Sequence, residues 1–211
     1  MLSAGRAAGF PVRAFGLIVR KEVHAMAKKV AILMAEGFEP VELTAPADVL
    51  RRAGAEVTCV SVTPTALVEG AHGLILVPDA NLDAVDLSDF DMLVVPGGSV
   101  GVQNLLGCEP LLQAIPAYAA GEGGRLLGAI CAGPMVLDAA GVLEGRKVTC
   151  YPGCEEGFPE GAYQGVIGVV RDGNLVTASG PGQAIAFGLT LAEALCGKEA
   201  ADEVASGMLL G

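Results

Sequence analysis

Three short runs, KVAILMA (29–35), DMLVVPGG (91–98) and RLLGAI (125–130), are apolar throughout after their first residue. A strand without a polar face has to be covered on both sides, so the chain between such runs must supply helices. PVELTAPADVLRRAG (40–54) does so, with Val41, Ala45, Val49, Leu50 and Ala53 at helical spacing and Gly54 as C-cap. The alternation predicts an α/β fold: a mostly parallel sheet with helices on both faces. Sites in such sheets form at the carboxyl ends of the strands.

EVTCVSVT (56–63) reads as a second strand, and ALVEGAHGLILVP (66–78) as a short hairpin or excursion around Gly70 and Gly73. The stretch 104–123 is a helix interrupted by Pro110 and Pro116, either kinked or in two pieces. A short helix is expected over 132–141, a fifth sheet strand over RKVTCY (146–151), and a hairpin over 166–180 with Asp172-Gly173 at its turn. Helices over 182–197 and 198–210 complete the chain.

At 211 residues and 52% hydrophobic content, the length suits one sizeable domain. No stretch of about 20 uninterrupted apolar residues occurs, so a soluble protein without a membrane span is expected. The first 29 residues carry six Lys or Arg and one acid, leaving 7 basic and 23 acidic residues beyond them, a net charge of −16. That balance disfavours nucleic acid and anionic membrane as partners. Residues 1–25 form an extension whose apolar segment, Phe15 to Val19, is too short for a secretory signal. They read as an upstream start misassignment, with Met26 opening a domain over 26–211, or as an Arg-rich mitochondrial transit segment. The six cysteines are scattered without a CxxC, and with His24 and His72 the only histidines a metal site is not expected. Scattered cysteines fit a reducing compartment, hence the cytoplasm.

Cys131 stands where LLGAI ends and Ala132-Gly133-Pro134 opens a helix. A residue on so tight a strand-to-helix turn is thrust up at the sheet top, as in a nucleophile elbow. The helix N terminus should favour its thiolate and make it the most acidic cysteine of the six. Free cysteines are often inert core residues, so the junction carries this reading and the residue type does not. Glu42 lies in the first turn after strand one on the face shared with Ala45, Val49 and Ala53, and a buried carboxyl group needs a reason. PGGSVG (96–101) places Gly97 and Gly98 where backbone N–H groups approach a ligand; it fits no phosphate-loop pattern, and an oxyanion beside Cys131 is the better reading. His72, in a loop, and Tyr151, at the end of RKVTCY, are possible lining residues.

Together AEGFEPVEL, VVPGGSVGVQNL, AICAGP and SGPGQAIAFGL resemble the ThiJ/PfpI family, in the branch of the Parkinsonism-associated deglycase and its bacterial relatives, from about Lys28 to Leu210. The resemblance implies a flavodoxin-like sandwich, usually homodimeric and cofactor-free. It places the reactive cysteine on Cys131 and a protonated carboxylic acid, donating to its sulfur, on Glu42; backbone N–H groups at Gly98 and Ala132 would hold an oxyanion. It also implies glyoxalase chemistry on methylglyoxal-type aldehydes or deglycation of their adducts. Peroxide sensing or chaperone action through oxidation of Cys131 is the alternative. Tyr151 stands where several relatives have a histidine, which removes the standard base of a Cys-His pair and weakens a peptidase or amidase reading; His72 stands where the branch often has an arginine.

Overall fold

A computed structural model describes residues 27–210. The expectations for the extension, residues 1–25, lie outside the described residues. Among the described residues nine strands and six α-helices run in the order β1 (Lys29–Met34), α1 (Pro40–Arg52), β2 (Glu56–Ser61), β3 (Val68–Glu69), β4 (Ile75–Leu76), β5 (Ala80–Asn81), β6 (Met92–Val95), α2 (Ser99–Leu106), α3 (Glu109–Ala119), β7 (Leu126–Ile130), α4 (Pro134–Ala139), β8 (Val169–Asp172), β9 (Leu175–Ala178), α5 (Ala184–Cys196) and α6 (Lys198–Gly207). Seven strands form one sheet ordered β5-β2-β1-β6-β7-β9-β8, parallel except for β8, while β3 and β4 pair as a separate hairpin.

Because successive side chains of a strand point to opposite faces, each apolar run feeds two cores. Val30, Ile32, Met34, Met92 and Val94 pack under α1, α5 and α6, whereas Ala31, Leu33, Leu93 and Val95 pack under α2, α3 and α4. This is the α/β sandwich that runs without a polar face require. Helices α1 and α5 approach closely at Gly188, where a Cβ would stand 3.1 Å from both Pro46 Cα and Val49 Cβ.

The 104–123 segment resolves into two helices, since Pro110 occupies the first turn of α3 and restarts the helix after Leu106. The inward face of α1 carries Glu42, Leu43, Pro46, Ala47, Val49 and Leu50, and Val41 is exposed. The expected fifth strand over 146–151 is not a sheet strand. Val148, Thr149 and Cys150 are fully buried, which explains the apolar run, but β8 and β9 complete the sheet edge beside β7. The segment makes one isolated bridge, Val148 to Tyr163, and Thr149 N–H donates to Thr177 Oγ1 at 2.9 Å. Burial made it apolar without requiring a ladder.

Candidate active site

At the carboxyl end of β7 the chain is held from three sides. Cys131 N–H donates to Ala178 O at 2.8 Å, Tyr151 N–H donates to Cys131 O at 2.9 Å, and Gly133 N–H closes back on Ile130 O at 2.8 Å. Cys131 is thereby fixed at φ 62, a left-handed conformation that a residue with a Cβ adopts only under constraint. Gly133 makes the turn possible, because a Cβ there would lie 2.4 Å from Val95 O. The nucleophile elbow read from the sequence is present as geometry.

Glu42 is fully buried in the first turn of α1, whose entry is pinned where Glu39 N–H donates to Gly97 O at 3.0 Å. Its Oε2 accepts the Gly97 N–H at 2.8 Å. Its Oε1 is buried without a hydrogen-bond partner, and the Cys131 thiol is the side chain near enough to bear on the carboxyl's protonation. Gly97 marks where the groups converge: a Cβ on it would fall 2.5 Å from Glu42 Oε2, 2.7 Å from Cys131 Cβ and 3.1 Å from Ala132 N. Gly98, at φ 94, turns its N–H toward the sulfur beside that of Ala132; a Cβ there would strike Gly37 O at 2.3 Å. Cys131, Glu42, Gly97, Gly98 and Ala132 thus form one constellation.

Burial pushes the Glu42 carboxyl up to about 7, against the hydrogen bonds from Cys131 and Gly97. Burial, then the charge and hydrogen bond of Glu42, push the Cys131 thiol up to about 12, against the N–H groups of Ala132 and Gly98. The expectation that a helix N terminus makes Cys131 the most acidic cysteine is therefore corrected. Helix α4 is only six residues long and begins three residues beyond Cys131, and the Gly133 N–H is spent on the turn. Acid and thiol titrate as a pair, and the first proton to leave belongs to both. Once Glu42 holds that proton its charge no longer opposes the thiolate, and its O–H faces the sulfur with the two main-chain donors.

His72 and Tyr151 stand apart from this centre. His72, at φ 64 and with its side chain 81% exposed, lies 3.7 Å from Glu39 Oε2 through its Nε2, beside the entry to α1. Tyr151 is tied to the elbow through its backbone, while its ring is exposed over Gly180. The roles of Gly133 and of the Ala178 carbonyl were not read from the sequence; the AGP following the cysteine was the available signal for the first.

A doubly covered α/β sheet with a strained elbow cysteine, a buried carboxylic acid and two main-chain donors defines a class of cysteine-centred proteins. The chain belongs to the DJ-1/PfpI family, which it matches over residues 28–194. It is 40% identical over 184 residues to protein DJ-1 homolog B of Arabidopsis thaliana, covering 87% of this chain and 42% of that protein, so it spans less than half of that relative's length. It is 35% identical to a glutathione-independent glyoxalase of Caenorhabditis elegans, covering 80% of this chain and 88% of that one. It is also 35% identical to a deglycase of Pyrococcus horikoshii, covering 75% and 94%. The crystal structure of Drosophila melanogaster DJ-1beta superposes with a TM-score of 0.82 at 37% identity, covering 88% of this chain and all of that one. The flavodoxin-like sandwich implied by the resemblance is the fold observed.

Proposed function

We propose that this chain is a cofactor-independent, cysteine-dependent glyoxalase or deglycase acting on methylglyoxal-type 2-oxoaldehydes or their adducts. The packing of Cys131, Glu42 and the Ala132 N–H around Gly97, which leaves no room for a Cβ and holds the three groups side by side, carries this reading. A proton donor-acceptor, a nucleophile and an oxyanion donor within reach of one small electrophile are the parts that aldehyde isomerisation requires. The Cys131 thiolate adds to the aldehyde carbon, and the N–H groups of Gly98 and Ala132 hold the resulting oxygen. Glu42, holding the proton taken from the thiol, passes it to that oxygen; the carboxylate so freed takes the proton from the same carbon and returns it to the neighbouring carbon, and the hydroxyl proton moves to the neighbouring oxygen, so that the hemithioacetal becomes a 2-hydroxy thioester. Water then cleaves the thioester to the 2-hydroxy acid and restores the thiol. On free aldehydes this is lyase chemistry; on adducts, hydrolase chemistry. The names of the glyoxalase and deglycase relatives support the reading.

Purified protein given methylglyoxal without glutathione should form lactate with turnover. A rate no greater than that of buffer containing free thiol would remove the proposal and leave oxidation of Cys131 as the function of the centre.

The protein is proposed to work in the cytoplasm, where the six free cysteines remain reduced. Among the described residues no helix is long and apolar enough to cross a membrane. A homodimer is proposed from the exposed Leu74, Ile75 and Val77 on and beside the β3–β4 hairpin, apolar surface that a second copy would cover. Sedimentation at micromolar concentration should give the mass of two chains; a stable single-chain species would refute the dimer.

A further inference from the structure

Cys150 precedes, and Cys154 ends, the turn Tyr151-Pro152-Gly153-Cys154, which is closed by Cys154 N–H donating to Tyr151 O at 2.9 Å, with Gly153 at φ 93. Proline second and a left-handed glycine third are the demands of a type II turn, which returns the chain at Cys154 to Tyr151, beside Cys150, and the Cys154 sulfur is near enough to bear on the Cys150 thiol. Glu155 clasps the turn: its Oε2 accepts the Gly153 N–H at 2.7 Å and lies 3.9 Å from Cys150 Sγ, within reach of a sulfur donor. Cys150 is fully buried, whereas Cys154 is partly open to solvent. Two thiols and a carboxylate are thus gathered on one turn, and the proposed reaction at Cys131 uses none of them.

We infer that Cys150 and Cys154 are a second redox centre, a dithiol that closes to a disulfide when a hydroperoxide oxidises Cys154. The partly exposed Cys154 sulfur attacks the peroxide, breaking its O–O bond and forming a sulfenic acid with release of water or an alcohol. The Cys150 sulfur then attacks the Cys154 sulfur; the S–S bond forms, the S–O bond breaks, and the Cys150 proton passes through Glu155 to the departing hydroxyl, which leaves as water. Two electrons pass from the thiols to the peroxide, and no other reactant is needed. Burial raises both thiols, Cys150 to about 12, so neither is a fast nucleophile alone. Juxtaposition supplies the advantage instead: closing a loop this short costs little entropy, and the second step is intramolecular.

Tryptic cleavage isolates the pair, because the peptide from Val148 to Arg171 contains Cys150 and Cys154 and no other cysteine. After hydrogen peroxide and denaturing alkylation, this peptide from the full chain should lose two hydrogens, escape alkylation, and recover both sites on treatment with dithiothreitol. Cys154→Ser should leave Cys150 fully alkylatable, and Cys150→Ser should leave Cys154 accumulating oxygen instead of closing. Closure should persist undiminished in Cys131→Ser, which places the centre apart from the elbow. Three results would each overturn the inference: a wild-type peptide alkylated at both cysteines, irreversible oxygen gain at Cys154, or closure that disappears with Cys131.

Discussion

Cys131→Ser should reduce lactate formation from methylglyoxal to the rate of buffer alone. Serine keeps the elbow, its φ of 62 and the main-chain donors, so the variant tests the sulfur and not the fold. Its hydroxyl would need a strong base to become a nucleophile, and the nearest acceptor, Glu42, rests near neutrality, far too weak to deprotonate an alcohol in advance. Tyr151 supplies no imidazole in compensation, and the described histidine, His72, sits 3.7 Å from Glu39 with its side chain in solvent. Glu42→Gln should lower turnover by a factor on the order of 10² to 10⁴, the usual worth of a positioned acid-base group, because the amide still accepts the Gly97 N–H but cannot carry a proton between carbons. Lactate formation surviving in Cys131→Ser would defeat the mechanism; full activity in Glu42→Gln would remove the proton shuttle while leaving the thiol in place.

The elbow was legible because everything that makes it is local: an apolar run stops, a glycine with no room for a Cβ follows, and a proline opens the next helix. Glu42 was legible through its offset on α1, although the face it shares runs through Leu43, Pro46 and Ala47 as well as Val49. What failed depended on neighbours distant in the chain. RKVTCY has the composition of a strand, yet β9 and β8 occupy the edge it would have joined, and only the order of strands in space decides that. The acidity of Cys131 failed for a similar reason. A helix N terminus is visible in a sequence, but the burial and the carboxyl group that outweigh it arrive from α1 and the β6 loop. Local grammar placed Cys131 at the elbow; long-range packing bears on its protonation.

That packing gives Glu42 a measurable effect on stability. Its carboxyl has an ordinary value of 4.5, which burial first of all pushes up to about 7 in the folded protein, where the proton concerned is the first that the Glu42–Cys131 pair releases. Below the lower value both states hold the proton, and Glu42 makes folding no less favourable. As pH rises from 4.5 to 7 the unfolded chain releases the proton while the folded protein retains it, so stability falls; above 7 both states are ionised and the loss is complete. At about 1.4 kcal/mol per unit, the drop across this window is about 3 kcal/mol. Glu42→Gln has no proton to retain, so urea unfolding at pH 4.5 and pH 7.5 should show the variant gaining about 3 kcal/mol on wild type between the two conditions. Other carboxylates contribute equally to both proteins and cancel in this difference. Parallel stability curves would mean that Glu42 is ionised in the folded protein throughout the window. The carboxyl could not then donate to the Cys131 sulfur at neutral pH, and the proton shared between them would belong to the thiol.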